Sequence, residues 1–292
     1  MPKGRNIDPP DILEACEVFP ILLVLIFMME ESLKFIGDNL WGIWMPGRLA
    51  GQAHARRQKE KRVAVIQSCY IPWLGFFDLI SRCDEYIIYD QVAFRSHHWH
   101  NRNRIKTAHG PLWLTIPVSA HLGQPIEEIA IKSGWAEKHW RSLAQSYARS
   151  SHFGSEAPVI SKLYEGLSRE TRLSKINECL LHFVAKRLGL ATRISRDRDY
   201  DVQGSRTERV VSACVAAGAT HYLSGPSAKA YLDERLFAAE GIELEWMEYP
   251  DYREYAQPHG GFVPNLSIVD LLFNCGPRAS DYLMPSPAYA LA

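Results

Sequence analysis

The sequence carries no excess of either charge: 33 Lys and Arg against 33 Asp and Glu over 292 residues give a formal net charge of zero. A field that gathers an anionic ligand must therefore come from local clustering, and non-specific nucleic-acid binding, which needs broad positive charge, is not expected. Long apolar runs are also scarce. The stretch Val18–Met29 holds 12 residues, whereas a membrane-spanning helix needs roughly 20, so no stable membrane insertion is expected. Glu14 and Glu17 precede it and Glu30 and Glu31 follow, which is not the charge pattern of a secretory signal. The six cysteines, Cys16, Cys69, Cys83, Cys179, Cys214 and Cys275, include no CxxC pair. A zinc knuckle and a dense disulfide framework are thereby disfavoured, and a reducing, cytoplasmic setting is expected. GxSxG, HExxH, GxGxxG and GxxxxGK[ST] are all absent, so no nucleophile elbow, zincin, dinucleotide fingerprint or Walker loop announces the chemistry.

What is present is a globular composition, 47% hydrophobic and 23% charged, with enough chain for one large core or two small ones. Residues 1–62 differ from the rest. The apolar run there suits a buried helix, an amphipathic surface piece, or sequence upstream of the working domain. The break Met45–Gly51 and the basic stretch Arg56–Arg62 read as a solvated linker. Three regions are expected: an extension over 1–62, an α/β domain over 63–285 and a tail over 286–292. Deletion of residues 1–60 is expected to leave a folded domain without a large loss of thermal stability.

From Val63 onward the pattern is regular. Arg62–Gln67 is a short β-branched run, Gly75–Arg82 a one-sided apolar helix and Glu85–Asp90 a second strand, the spacing of a strand-helix-strand crossover. A Trp-, Asn- and Arg-rich loop follows, then Leu112–Val118 as a third strand and a short strand within Glu127–Ile131. Helices are expected over Trp135–Arg149, over Ala157–Leu188 with a break before a Ser174 cap, over Arg206–Ala217 and over Lys229–Ala239. Strands are expected at Gly189–Ser195, His221–Ser224 and Glu243–Tyr249. The alternation predicts an open, mostly parallel α/β sheet flanked by helices, Rossmann-like, with a helical C-terminal portion.

Ligands of such sheets bind where the strands end. The loop after the first strand carries Gln67, Tyr70, Trp73 and Gly75 ahead of a helix N-terminus, which favours an anion. Its layout resembles the first loop of HIGH-type nucleotidyltransferases, with Pro72, Gly75 and Phe77 near the places of their Pro, Gly and second His. The two phosphate-contacting histidines are replaced by Trp73 or Leu74 and by Phe76 or Phe77. The second strand delivers Asp90, and residues 91–126 then contain no Asp or Glu at all but five histidines and four Arg or Lys. Trp99, Asn101, Arg102, Asn103, Arg104 and Lys106 in this stretch suit phosphate, pyrophosphate or carboxylate recognition. His98 and His100, with Asp90, are candidate proton acceptors; without acidic or cysteine neighbours no metal set is assigned to the histidines. Thr207, Glu208 and Arg209 open a helix and serve either a ligand or a cap. Ser224, Gly225, Ser227 and Lys229 form a second strand-turn-helix cradle for an anion.

Val65–Asp78, Trp99–Lys106, Trp113–Pro117, Lys138–Trp140, Thr207–Arg209, Tyr222–Pro226 and Glu245–Met247 together resemble the WbqC-like family, in order from about Val63 to Leu283. That resemblance implies a setting in bacterial surface-polysaccharide and modified-sugar biosynthesis, with amino-acyl or related group transfer. The expected function is transfer of an amino-acid or acyl group to an amino sugar or another small amine. ATP with magnesium would activate the acyl donor, or the donor would arrive already activated. Polysaccharide-biosynthesis enzymes are expected partners. A non-catalytic nucleotide-sugar or glycan-enzyme binding protein and a divergent nucleotidyltransferase are the alternatives.

Overall fold

The computed structural model describes residues 60–284. The apolar run, most of the expected linker and the tail lie outside the described residues. Strand β1 (Arg62–Ile66) buries its centre, Val63-Ala64-Val65, and continues through α1 (Leu74–Ser81) to β2 (Glu85–Ile88). An insertion follows: the hairpin β3 (Arg102–Thr107) and β4 (Gly110–Thr115), the short pair β5 (Val118–Ser119) and β6 (Ala130–Ile131), then α2 (Trp135–Tyr147) and α3 (Phe153–Leu167). Helix α4 (Leu173–Arg187) returns the chain to the sheet. The remaining elements are β7 (Arg193–Arg196), α5 (Arg206–Ala216), β8 (His221–Ser224), α6 (Glu234–Ala239), β9 (Glu243–Trp246) and α7 (Ile268–Cys275).

Five strands form one open sheet in the order β7-β2-β1-β8-β9, every neighbouring pair parallel. Alternate residues of a strand point to opposite faces. Ala64, Tyr86, Ile88 and Leu223 pack with α1, α4 and α7 through Leu79, Leu181, Val184 and Leu272. Val63, Val65, Ile87 and Tyr222 pack on the other face with α5 and α6 through Val210, Val211, Cys214 and Phe237. A third core belongs to the insertion, where Ile105 and Leu114 of the hairpin meet Trp135, Tyr147, Ile160, Tyr164, Ile176 and Phe273. No described helix is long and apolar enough to cross a membrane.

Several local expectations change. Much of the loop expected before Leu112 is strand β3, whose Arg-Asn-Arg-Ile-Lys-Thr sequence lacks apolar alternation and is held by pairing with β4, Arg104 opposite Trp113. The strand expected at Leu112–Val118 is therefore a hairpin arm outside the main sheet. Helix α6 begins at Glu234, not Lys229; Asp233 caps it by accepting the Arg235 N–H at 3.1 Å, and Pro226–Ala230 is a 3-10 turn. Ser174 lies inside α4 and donates to Asp90 instead of capping. Lys61 and Arg62, expected in the linker, anchor the domain: Lys61 donates to the Ala217 carbonyl at 2.6 Å, and Arg62 forks onto Glu245 at 2.7 and 2.8 Å. The strand expected to reach Tyr249 stops at Trp246. Among the described residues the helical C-terminal part comprises α7 and the 3-10 segment Gly276–Tyr282.

Candidate ligand site at the carboxyl edge of the sheet

Counted among sheet strands alone, the order is 3-2-1-4-5, so the winding reverses between β1 and β8. Open α/β sheets bind ligands outside the carboxyl ends at such a reversal. Gln67 to Trp73 leave β1 at this point, and Gly225 to Ser227 leave β8. Trp73 packs on the segment that follows β9: its ring centroid lies 5.0 Å from that of Tyr249 and 5.9 Å from that of Tyr252. The Tyr249 hydroxyl in turn stands 3.7 Å from where a Cβ on Gly225 would sit. A Cβ on Gly75 would fall 2.4 Å from the Trp73 ring, so the close approach that Gly75 permits is that of this indole over the start of α1.

A buried polar network fixes the first loop from beneath. Ser68 N–H donates to Asp90 Oδ1 at 2.8 Å, and the Ser174 hydroxyl donates to Asp90 Oδ2 at 2.5 Å. Asn177 Nδ2 donates to Ser68 Oγ at 3.0 Å and to the His100 carbonyl at 2.9 Å, while His100 Nδ1 lies 3.1 Å from the Ser68 carbonyl. Burial pushes the Asp90 carboxyl up from its ordinary value. It pushes His100 down to about 4, so this imidazole is neutral near pH 7 and held by backbone. His98 is the exposed member of the pair, its ring 4.8 Å from that of His100. Partial desolvation, then the positive charges of Arg95 and Arg102, lower its pKa. Cys69 is driven up to about 12, first by burial and then by Asp90, which keeps it a thiol.

The hairpin is pinned to the same loop. Tyr70 N–H donates to the Trp99 carbonyl at 3.0 Å. Asn103 Nδ2 donates to the carbonyls of Tyr70 and Ile71 at 3.2 and 2.8 Å, and its Oδ1 accepts the Arg104 N–H at 2.8 Å. Asn101 Nδ2 donates to the Ile116 carbonyl at 2.8 Å. Tyr70 is 0% exposed; its hydroxyl meets His139 Nδ1 at 2.8 Å and Tyr164 at 2.7 Å, so its ring belongs to the core. Lys106 is buried too, and its ammonium donates to the carbonyls of Gly260 and Gly261 at 3.2 and 2.5 Å. What faces outward is aromatic and cationic. Trp99 and Trp113 are 38% and 42% exposed with ring centroids 5.4 Å apart. The Arg102 and Arg104 guanidiniums lie 4.3 and 5.8 Å from the Trp113 centroid.

The remaining residues expected at a site have other partners. Thr207 accepts the Asp233 N–H at 3.2 Å, Glu208 accepts the Ser205 N–H at 3.4 Å as in a capping box, and Arg209 donates to the Val202 carbonyl and to Gln91. Ser224 is buried and Ser227 exposed on the 3-10 turn. The Lys229 ammonium sits 5.4 Å over the Trp246 ring. No α-helix N-terminus follows β8 directly, so the expected second cradle is a turn only. Among the described residues no group of three or more His, Cys, Asp and Glu is placed to hold a metal. Sequence reasoning missed Tyr249, Ser174, Asn177 and Asp197. Asp197 is buried, accepts the Gln91 N–H at 3.0 Å and is pushed up to about 6, chiefly by burial. Ser68 and Asn177 meet across 109 positions, and no local pattern marks such a pair.

The model of the WbqC-like protein family matches residues 67–282, and the chain belongs to that family. A curated relative, the uncharacterised protein Rv1507c of Mycobacterium tuberculosis, is 45% identical over 226 residues, covering 76% of this chain and 97% of the relative. No solved structure matches.

Proposed function

We propose that this WbqC-like protein is a cytoplasmic group-transfer enzyme that moves an acyl or amino-acyl group onto the amine of a small anionic acceptor, such as an amino-sugar phosphate in polysaccharide biosynthesis. The supporting observation is His98, an exposed imidazole on the loop that leads into Arg102 and Arg104, its pKa lowered by partial desolvation and then by Arg95 and Arg102. An amine attacks only after losing a proton, and a neutral imidazole is a suitable acceptor. The acceptor nitrogen forms the new bond to the acyl carbon. The bond from that carbon to its activating group breaks, the leaving group departs with the electron pair, and His98 takes the amine proton. Arg102 and Arg104 neutralise the anionic end of the acceptor. The donor arrives activated or is activated with ATP and magnesium. The 3-2-1-4-5 strand order is that of Rossmann-type sheets, an analogy that supports a nucleotide-bearing substrate.

The test is mass-spectrometric detection of amide product from acyl and amino-acyl donors mixed with amino-sugar phosphates. His98→Gln is expected to lower turnover by about 100-fold to 10,000-fold; an unchanged rate sinks the assignment. A non-catalytic nucleotide-sugar binding role is the second reading, favoured by the exposed Trp99–Trp113 pair. It requires binding without any product.

A further inference from the structure

We infer that the outward face of the β3–β4 hairpin is a diphosphate clamp whose ligand is a nucleoside diphosphate or its ester. This deepens the group-transfer reading by naming the chemical class held at its cationic face. Arg102 and Arg104 are two residues apart on one strand, so their side chains leave the same face about 7 Å apart. They flank Trp113 at 4.3 and 5.8 Å from its centroid. Guanidiniums on two side chains that share a face and flank one ring can each take one phosphoryl group of a diphosphate, while a monophosphate engages one fork fully.

Charge selects the same ligand. Arg62, Arg187, Arg196 and Arg198 each pair with a glutamate, but among the described residues neither Arg102 nor Arg104 has an acid partner. Arg102 donates to the His97 carbonyl at 2.6 Å; no acceptor for the Arg104 guanidinium exists among the described residues. The Nε atoms of both are buried without a partner, and beyond the Arg102 Nη2 bond to His97 no terminal nitrogen of either guanidinium has an acceptor among the described residues. Lys106, the next residue on this face, is turned inward onto the Gly260 and Gly261 carbonyls. The face therefore offers two cations, one for each phosphoryl group of a diphosphate. Trp99, packed against Trp113 and half-exposed, supplies a flat surface on which a base can stack.

The full-length protein is titrated with inorganic pyrophosphate, inorganic phosphate, uridine and uridine diphosphate, followed by calorimetry and tryptophan fluorescence. Pyrophosphate is expected to bind at least 10-fold tighter than phosphate. Uridine diphosphate should bind tighter still and quench fluorescence, with the quench reduced in Trp99→Phe. Arg102→Gln and Arg104→Gln should each weaken pyrophosphate binding about 10-fold or more at an unchanged unfolding midpoint, and Arg169→Gln, in an exposed turn, should not. Equal affinity for phosphate and pyrophosphate, or indifference to both arginine substitutions, overturns the clamp. So does tight binding of an acidic peptide that excludes pyrophosphate. If monophosphate sugars are acylated while pyrophosphate fails to bind, the clamp is wrong and the His98 assignment stands. If pyrophosphate binds as expected but no donor gives product, the clamp stands and group transfer fails.

Discussion

Replacing Asn103 by alanine separates a structural bracket from a ligand contact. The buried amide makes three hydrogen bonds: two donated to the carbonyls of Tyr70 and Ile71 and one accepted from Arg104 N–H. Tyr70 and Ile71 are fully buried, so water cannot replace the lost donor. Each buried orphan costs about 1–3 kcal/mol. Two carbonyls and one partly accessible N–H, each taken near the low end of that range, give a loss of about 3–4 kcal/mol. Ile71 adds to the demand, because its φ of +37° is a conformation that a β-branched residue keeps only when its surroundings hold it. At about 2–4 °C per kcal/mol for a domain of this size, the midpoint should fall by about 6–16 °C. Urea unfolding should show a lower midpoint concentration with an unchanged slope. Asn103→Asp should lose at least as much, since a carboxylate cannot donate to either carbonyl. A loss below about 1 kcal/mol in Asn103→Ala refutes the bracket and returns Asn103 to the ligand.

Gly75→Ala should cost about 1–3 kcal/mol and displace Trp73 from Tyr249, because the new Cβ would lie 2.4 Å from the indole; an unaltered near-ultraviolet dichroism spectrum with unchanged stability would refute the packing. Burial lowers the folded pKa of His139 to about 4, below its unfolded value of about 6.5. Between these values the unfolded chain binds the extra proton, so this contribution is present above pH 6.5 and is lost as pH falls toward 4. The stability gap between wild type and His139→Gln should therefore narrow by about 2–3 kcal/mol from pH 7 to pH 4.5. A constant gap in urea unfolding would count against a buried neutral imidazole.

The buried strands were legible because burial on both faces leaves a local mark: Val63-Ala64-Val65 and Tyr86-Ile87-Ile88 can be recognised without knowing their neighbours. The helix expected over Gly75–Arg82 was equally clear and forms over Leu74–Ser81, and the acid-free stretch 91–126 was legible too. Strand β3 was not. Its residues are polar, and its pairing depends on β4, whose Trp113 lies opposite Arg104. The Ser174 hydroxyl looked like a cap because serine prefers that position, but the tertiary fold presents it with a buried carboxylate on Asp90.

The sequence by itself determined that strands and helices alternate from Val63 onward and that positive charge gathers after the second strand. Both follow from which residue types lie near one another along the chain. Only the tertiary structure decided which of those cations face outward. Lys106 is turned inward by the Gly260 and Gly261 carbonyls, 154 and 155 positions away, whereas Arg102 and Arg104 remain against Trp113. Every residue carries a carbonyl, so nothing in the one-dimensional sequence distinguishes the two that fold back onto that ammonium.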